Sequence, residues 1–406
     1  MRVMIVAPNG GASLSTGGGS LFALTQAMTI SRSTGAATYL AAYHSLSLPA
    51  LASLHHLRLE GLRIRLVSSQ ARTGYALYRR SPLKLSAYNA LLLPSFGRWI
   101  ADTIDEIDPD WIWFHDDIPS SACSQIRGRR VALYVHYPLV ARSSRTAPPL
   151  DESRYIAERV NDSLLGLLNG RIVCRSPSAH ASAIWANSTV TARVVRANWG
   201  VQPEVHFPFH YAPASAVAEK HKLVLAIGAY SKGKNYETLV SGFCSSGLAL
   251  DGWRLVIAGT SRDGSYLRRI RRSALRSRDA AAISIMSDID GSTRDRLLAE
   301  SSIVVQPAIF EPFGIALAEG MANGAAAVAH AGPWSGSWID LLDSGRYGMG
   351  FQTPSDLAHA LRRLAFGELL MYQHLAAERI RGFDDSRFVA ATLREFHRAE
   401  ASVVLR

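Results

Sequence analysis

Residues Phe310–Gly324 read FEPFGIALAEGMANG, and they mark the point where the pattern of the chain changes. An apolar run typical of a buried strand, Ser302–Pro307 (SIVVQP), ends just before them. An acid, Glu311, and a Pro-Phe-Gly turn follow, and a run of helix formers then carries a second acid, Glu319. The stretch therefore predicts a strand, a tight loop and a helix in succession, which is the repeating unit of open α/β sheets.

The start of the predicted helix suits an anion or sugar hydroxyls. Backbone N–H groups in the first turn have no partner within the helix, and the helix dipole favours negative charge there. The predicted ligand-facing positions of this turn are Phe313, Gly314, Ile315 and Ala316. Eight helical residues rise by about 12 Å, so Glu311 and Glu319 could contact the two ends of an elongated ligand. An ordinary solvated acidic helix is the alternative for two acids at this spacing.

The same residues resemble a known motif. Glu311-Pro-Phe-Gly-x4-Glu319, followed by Gly-Met-Ala-Asn-Gly, is similar to the E-x7-E motif of retaining glycosyltransferases of family 4, whose usual form is EGFGxxxLEAMAxG. Pro312 replaces a Gly of that form, Ala318 a Leu and Gly320 an Ala. The resemblance implies that Glu311 contacts hydroxyls of the donor sugar and that Glu319 holds the ribose diol of the nucleotide.

The resemblance also implies an architecture. It predicts an α/β protein of the GT-B class, with two Rossmann-like domains whose parallel sheets face a cleft. The expected domains are an acceptor domain at 1–205 and a donor-nucleotide domain at 206–380. The last residues, 381–406, are expected to form a helix that crosses back to the first domain.

Length and composition agree with two well-packed domains. The chain has 406 residues, of which 48% are hydrophobic and 19% charged, a balance that disfavours disorder. A predicted strand, Val3–Ala7, follows the first residues directly, so we expect no signal peptide, and no apolar run reaches the length of a membrane span. The three cysteines, Cys123, Cys174 and Cys244, are scattered and show neither a disulfide framework nor metal-ligand spacing. These features predict a cytoplasmic protein without a bound metal.

The positive charge is concentrated in the first half of the chain. The net charge is +11, of which residues 1–206 carry +8. This excess favours an anionic surface, lipid or acceptor, but an arginine-rich proteome would explain it equally well. Nucleic-acid binding is disfavoured because the basic residues are spread out and form no recognition motif.

A glycine-rich loop, Gly17-Gly18-Gly19-Ser20, precedes a helix that is predicted from about Leu21. A dinucleotide fingerprint would need a further glycine at Phe22, so an NAD site is disfavoured. The family resemblance places Gly18 and Gly19 under the donor phosphates and beside the acceptor. A surface turn is the alternative.

His136 is the best candidate for a polar role in the first half. It follows the buried strand Val131–Val135 in the triplet His136-Tyr137-Pro138. It resembles the family's histidine near the donor sugar and the reacting centre, and the triplet is similar to that of mannosyltransferases in lipid-linked oligosaccharide assembly. A structural histidine is the alternative. His115 and Asp116 are weaker candidates, since acids commonly end such strands.

In the second half, the strand Leu223–Ile227 runs into Gly228-Ala-Tyr-Ser-Lys-Gly-Lys-Asn235. The family pattern is a strand followed by G-R-x-x-x-x-K-N, so Lys234 is in register to contact the donor diphosphate. The expected arginine is Ala229, and Lys232 is a candidate substitute. Asp288 and Ile289, after a predicted strand at 283–286, occupy the place where the family's backbone holds the nucleotide base.

Together these features predict a retaining glycosyltransferase. It would move mannose or another hexose from a GDP- or UDP-sugar to a glycan or lipid-linked acceptor, with His136, Glu311 and Lys234 as catalytic residues. The resemblance implies that no cofactor and no metal are needed. The alternatives are transfer to a small soluble glycoside or secondary metabolite, and a catalytically silent nucleotide-sugar binder.

The basic and aromatic segment Tyr75–Tyr88 bears on the acceptor. It could lie in an anionic membrane interface, which would place the enzyme at the inner face of the membrane and favour a lipid-linked acceptor. It could equally be an internal helix with arginines on its outer face.

Overall fold

The computed structural model describes residues 1–7, 18–42, 60–68, 93–138, 173–174, 176–209, 219–261 and 264–404. The chain divides into two compact units, of which the first comprises Met1–Phe207 with Asp385–Arg406 and the second Pro208–Asp384. The boundaries expected from the sequence were after residues 205 and 380. The basic segment Tyr75–Tyr88 lies outside the described residues.

The strands alternate with helices along most of the chain. They are β1 Arg2–Val6, β2 Ala37–Ala42, β3 Ile64–Ser68, β4 Trp111–His115, β5 Arg130–Val135, β6 Ala183–Ala186, β7 Glu204–Val205, β8 His221–Ile227, β9 Arg254–Gly259, β10 Ile283–Ser287, β11 Ser301–Gln306, β12 Ala326–His330 and β13 Met349–Phe351.

The α-helices are α1 Gly18–Thr34, α2 Leu93–Ile107, α3 Thr189–Trp199, α4 Tyr236–Ser246, α5 Gly264–Leu275, α6 Gly291–Glu300, α7 Ile315–Ala322, α8 Pro354–Arg363, α9 Leu369–Ile380 and α10 Ser386–Val404. Short 3-10 turns occupy Ser120–Ala122, Pro177–Ala179, Lys232–Lys234, Leu248–Asp251, Ala280–Ala282 and Asp343–Gly345, and π-helical turns occupy Ser337–Leu341 and Leu364–Glu368.

Each unit is built on a parallel sheet. The described strands of the first unit pair in the order β3-β2-β1-β4-β5-β6-β7, and those of the second in the order β10-β9-β8-β11-β12-β13. Both orders run outward in one direction and then reverse, so each sheet has a switch point, between β1 and β4 and between β8 and β11. The predicted α/β class with two Rossmann-like parallel sheets is confirmed.

The last helix belongs to the first unit, although it is far from that unit in sequence. Phe388 on α10 packs edge-on against Phe22 of α1, with ring centroids 5.5 Å apart. Phe396, farther along the same helix, lies 4.9 Å from the Trp111 ring of β4. All four side chains are buried, so α10 completes the core on this side of the sheet.

Most predicted strands are confirmed, with ends that shift by one or two residues. Two predicted helices differ from the structure. The first helix begins at Gly18 rather than near Leu21, and the C-terminal helix expected over 381–406 begins at Ser386. Among the described helices, none is both long enough and apolar enough to span a membrane.

Candidate functional site

The switch point of the second sheet brings together two loops that the sequence analysis had singled out. Lys232–Lys234 form a 3-10 turn shortly after β8, and Glu311 lies in the loop after β11. Because β8 and β11 are neighbours and parallel, both loops leave the same edge of the sheet. Ligands of open α/β sheets bind at this point, outside the carboxyl ends of the strands.

Lys234 and Glu311 meet directly in these loops. The Lys234 Nζ donates to Oε2 of Glu311 over 2.6 Å, and Nε2 of Gln306, at the end of β11, donates to the same oxygen over 3.1 Å. The lysine side chain is 27% exposed and the glutamate 14%, so the pair is sheltered but open to solvent. Asn235 joins the loops a second time, through its Nδ2 to the carbonyl of Pro307. A cation and an acid are thus held side by side at the switch point.

The Glu311 loop is fixed by a second segment that follows β12. The Gly336 N–H donates to the Glu311 carbonyl over 2.7 Å, and the Glu311 N–H donates to the Trp334 carbonyl over 3.2 Å. A Cβ added to Gly336 would lie 1.7 Å from the backbone oxygen of Pro312, so only glycine allows this approach. The carboxylate of Glu311 is therefore presented from a rigid backbone.

Helix α7 begins directly after this loop. Gly314 precedes it with φ +100°, a left-handed conformation that favours glycine, and the helix has no side-chain cap. The Ser337 hydroxyl donates to the Phe313 carbonyl over 2.9 Å and so holds the entry of the helix. The Phe313 ring is buried against Phe383, which limits this residue to backbone contacts with a ligand. Ile315 and Ala316, as predicted, form the first turn.

Glu319 forms an ion pair that the sequence analysis did not anticipate. It lies in the middle of α7, and one of its carboxylate oxygens contacts the guanidinium of Arg294 on α6. Both side chains are largely buried, with 8% of Glu319 and 17% of Arg294 exposed. Nothing in the local sequence distinguishes Arg294 from the other basic residues, because the contact depends on the packing of two separate helices.

Asp288 and Ile289 lie at the end of β10, at the edge of the sheet. Asp288 adopts a left-handed conformation with φ 56°, and its N–H donates to the Gly259 carbonyl over 2.7 Å. Its carboxylate also accepts from the N–H of Ser261, which links the loops after β9 and β10. Three strand spacings separate β10 from β11, or about 14 Å. The predicted base-binding residues and the Lys234–Glu311 pair therefore lie well apart along one sheet edge.

The first unit contains a second polar group, next to its own switch point. Nδ1 of His115, the last residue of β4, lies 2.9 Å from Nε2 of His136. Nε2 of His115 lies 2.6 Å from Oε1 of Gln26 on α1, the helix that begins with Gly18 and Gly19. His115, a weaker candidate in the sequence, is thus the link between α1 and His136.

The backbone around His136 is fixed by side chains. One carboxylate oxygen of Asp116 accepts from the N–H groups of His136 and Tyr137, over 2.7 and 2.9 Å. The Thr191 hydroxyl, on α3, donates to the His136 carbonyl over 2.9 Å. Asp116 has φ 70°, a conformation that aspartate tolerates better than most residues. Asp116 therefore positions His136.

Both imidazoles are held neutral by their surroundings. Burial lowers the pKa of His136, although the carboxylate of Asp116 acts in the opposite direction. Burial, and secondarily the neighbouring His136, hold the pKa of His115 well below its ordinary value. Because the Gln26 amide oxygen faces His115, we assign His115 as a donor from Nε2 and as an acceptor at Nδ1 from Nε2 of His136. This arrangement leaves Nδ1 of His136 as a hydrogen-bond acceptor.

One family model matches the second unit of the chain. Residues 210–365 match the family model described as glycosyl transferases group 1. No curated protein sequence matches the chain significantly.

Solved structures resemble the whole chain. Sucrose-phosphate synthase from Thermosynechococcus elongatus has a TM-score of 0.70 at 16% identity, covering 99% of this chain and 100% of that one. Trehalose 6-phosphate synthase from Burkholderia multivorans has a TM-score of 0.65 at 14% identity, covering 99% of both chains. HepE from Anabaena, solved with UDP-glucose, has a TM-score of 0.64 at 15% identity, covering 97% of this chain and 99% of that one.

At these identities the structural likeness establishes the fold. The two parallel sheets, with seven and six strands among the described residues, are those of the GT-B class that the sequence predicted. The match to the family model covers most of the second unit, which holds Lys234, Glu311 and Glu319. The chain thus has a GT-B fold, and its second unit carries a region that matches the glycosyl transferases group 1 family.

Proposed function

We propose that the protein is a retaining glycosyltransferase that moves a hexose from a nucleotide diphosphate sugar to a glycan or lipid-linked acceptor. The observation that carries the proposal is the Lys234–Glu311 pair at the switch point, next to the uncapped start of α7. The match of this unit to the glycosyl transferases group 1 model supports it.

The pair has the charges that such a donor requires. The Lys234 ammonium can neutralise the diphosphate, and the free N–H groups of the first turn of α7 add a second positive end. Glu311 accepts hydrogen bonds, so it can bind hydroxyls of the sugar. The end of β10, about 14 Å away along the sheet edge, leaves room for the nucleotide. Because HepE was solved with UDP-glucose, uridine donors belong in the first screen, together with GDP-sugars.

In the proposed transfer reaction, negative charge develops on the leaving diphosphate. The bond between the anomeric carbon and the phosphate oxygen breaks, and the diphosphate keeps the electron pair. The acceptor oxygen bonds to the same carbon and passes its proton to the departing phosphate or to solvent. Lys234 and the N–H groups of α7 stabilise the new charge, and they are in place before the reaction, which is the most effective form of electrostatic catalysis. His136, held neutral in the first unit, is proposed as a further catalytic residue.

The acceptor is proposed from the charge of the first half and from the resemblance of the HYP triplet. These features favour the hypothesis that the acceptor is lipid-linked and that the transferred sugar is mannose. Flotation with anionic liposomes tests it. Salt-sensitive binding that is lost when Arg79, Arg80 and Lys84 are changed to Ser supports a membrane-bound acceptor. No binding at low salt favours a small soluble glycoside instead.

A catalytically silent nucleotide-sugar binder is the second candidate, because Ala229 stands where the family pattern has an arginine. The two candidates differ in turnover. Thermal-shift screening with UDP, GDP, ADP and their sugars identifies the donor, since a ligand that binds only the folded state raises its melting temperature. Release of free diphosphate from that donor in the presence of acceptor mixtures then indicates an enzyme. Stabilisation without release indicates a binder, and no stabilisation by any donor contradicts the proposal.

A further inference from the structure

Three metal-binding side chains of the first unit cluster in a place that the proposed function does not use. The thiol sulfurs of Cys123 and Cys174 and a ring nitrogen of His180 lie within 4.8 Å of one another. All three residues are half-buried, so they are sheltered but reachable by an ion. The cluster could not be recognised from the sequence, because Cys123 is far in sequence from Cys174 and His180 and the fold brings them together.

The backbone around the two cysteines is held by hydrogen bonds. The Cys174 N–H donates to the Ile118 carbonyl over 2.8 Å, and Val173 forms an antiparallel bridge with Pro119. This pairing places Cys174 against the segment that leads to Cys123. Cys123 ends the 3-10 turn Ser120–Ala122, and its N–H donates to the first carbonyl of that turn.

His180 comes from a second short turn. It ends the 3-10 turn Pro177–Ala179, and its N–H donates to the Pro177 carbonyl over 3.0 Å. The proline at the start of this turn restricts the backbone that carries the imidazole. All three donors are therefore presented by backbone that is already folded.

We propose that Cys123, Cys174 and His180 bind a Zn²⁺ ion. Two thiolates and one imidazole are donors that zinc prefers, whereas Mg²⁺ and Ca²⁺ prefer oxygen. Zinc bonds of about 2.3 Å to sulfur and 2.0 Å to nitrogen place tetrahedral ligands about 3.5 to 3.8 Å apart. From separations of at most 4.8 Å, the donors need to approach one another by up to about 1.3 Å to reach this spacing. Among the described residues the group has three protein donors, so water is left for the fourth position.

Zinc at this place would join the turn that ends at Cys123 to the segment 173–180. Both cysteines would bind the ion as thiolates. Because the unfolded chain has no preformed site, binding also stabilises the folded first unit. This inference does not depend on the glycosyltransferase proposal.

The test uses the purified full-length chain under reducing conditions. Zinc content is measured by mass spectrometry of the metal, and the metal-free protein is titrated with Co²⁺, whose thiolate charge-transfer band and visible bands report sulfur ligands and tetrahedral geometry. The variants are Cys123→Ser, Cys174→Ser and His180→Asn. Cys244→Ser, which removes the cysteine of α4 in the second unit, is the matched control. Far-UV circular dichroism checks that each variant is folded.

We expect one metal per chain and a melting temperature that falls when a chelator is added. Each ligand variant should bind Co²⁺ more weakly by at least the roughly 10–100-fold that loss of a supporting contact causes, and Cys244→Ser should bind as the wild type. Absence of a cobalt–thiolate band in the reduced wild type would overturn the proposal. A band that persists in Cys123→Ser would also overturn it. So would a Cys123–Cys174 disulfide in a chain that binds no metal, since the pair would then be a redox couple.

Discussion

The Nζ of Lys234 lies 2.6 Å from Oε2 of Glu311, although 77 residues separate the two in the chain. Each belongs to the loop after its own strand, and the contact exists because those strands, β8 and β11, are neighbours at the point where the sheet reverses. The pair is charge-compensated within the protein. A diphosphate would therefore contact the Lys234 ammonium, and a sugar hydroxyl the Glu311 carboxylate. Both side chains are already positioned, so binding would cost little side-chain entropy.

The first prediction concerns Lys234. Lys234→Met should reduce kcat/KM for transfer by about 10²–10³-fold, because it removes a preorganised positive charge from the departing diphosphate. Steady-state kinetics with the identified donor provide the measurement. Lys222→Met is the matched control, since that exposed lysine donates to the Asp251 carbonyl at the other end of β8. Full activity of Lys234→Met would show that the proposed register of this loop is wrong.

Lys232 provides a second comparison. If it compensates for the missing arginine at position 229, Lys232→Met and Lys234→Met should each keep part of the activity and the double variant should lose nearly all of it. If Lys234 acts alone, Lys232→Met should be as active as the wild type. The coupling between the two lysines is measured by comparing the fold-loss of activity in the double variant with the product of the fold-losses in the two single variants.

The ion pair of Arg294 and Glu319 allows a structural role to be separated from ligand binding. Glu319→Leu alone should cost about 3 kcal/mol of unfolding free energy, because it leaves the largely buried Arg294 guanidinium with the longer, 3.3 Å contact to Asp295 in place of its Glu319 partner. The double variant Arg294→Met/Glu319→Leu should recover most of that loss, since apolar side chains can replace a buried pair. Denaturant unfolding measures both effects.

The same double variant tests the proposed ribose contact. If Glu319 binds the ribose, the double variant should bind the free nucleotide diphosphate more weakly than the wild type even though its stability has been recovered. The expected loss of binding free energy is about 2 kcal/mol, the contribution of a charged hydrogen bond. Calorimetric titration provides this value. Glu311→Gln should spare the free diphosphate and impair sugar transfer. Wild-type diphosphate affinity in the double variant would show that Glu319 serves the fold alone.

The histidine pair predicts a dependence of stability on pH. Because burial lowers the pKa of both His115 and His136 below the ordinary 6.5, the unfolded chain binds protons that the folded chain does not. The contribution of these two histidines to the free energy of unfolding is fully present above about pH 6.5. It should fall as the pH drops from there toward the folded pKa values, by up to about 1.4 kcal/mol per pH unit for each histidine.

Unfolding curves between about pH 5 and pH 8 measure this slope. The double variant His115→Gln/His136→Gln should make the slope shallower, and His206 and His330, whose pKa values burial also lowers, should keep part of it. His359→Gln, at an exposed position of α8, is the control and should leave the slope unchanged. An equally steep slope in the double variant would contradict the assignment of neutral imidazoles.

The last prediction concerns the support of the Glu311 loop. Gly336→Ala should cost about 1–3 kcal/mol or more, because its Cβ would overlap a backbone oxygen that cannot move aside. Transfer should fall as well, since Gly336 donates to the Glu311 carbonyl. Gly367→Ala, where a Cβ meets no atom within 4 Å, should be neutral or stabilising. Thermal unfolding and transfer rates of the two variants give the comparison.

The sequence by itself determined the class of the fold and one half of the candidate site. Alternation of strands and helices depends on local apolar periodicity, so strands such as β1, β5, β8 and β11 could be placed from the residues alone. Gly314, Glu311 and Glu319 could be found because a turn, an acid and a helix start are encoded by adjacent residues. The boundary expected after residue 380 falls at the end of α9, and the separate helix that was expected from residue 381 begins at Ser386, after a segment that contains Gly382.

Only the tertiary structure decided which of these residues are partners. The Lys234–Glu311 contact, the Arg294–Glu319 ion pair and the link from Gln26 through His115 to His136 each join separate elements of the fold. The grouping of Cys123, Cys174 and His180 likewise depends on the pairing of Pro119 with Val173. Local sequence carries no signal for such contacts, because strand order and helix packing are set by the burial of apolar surface over the whole unit.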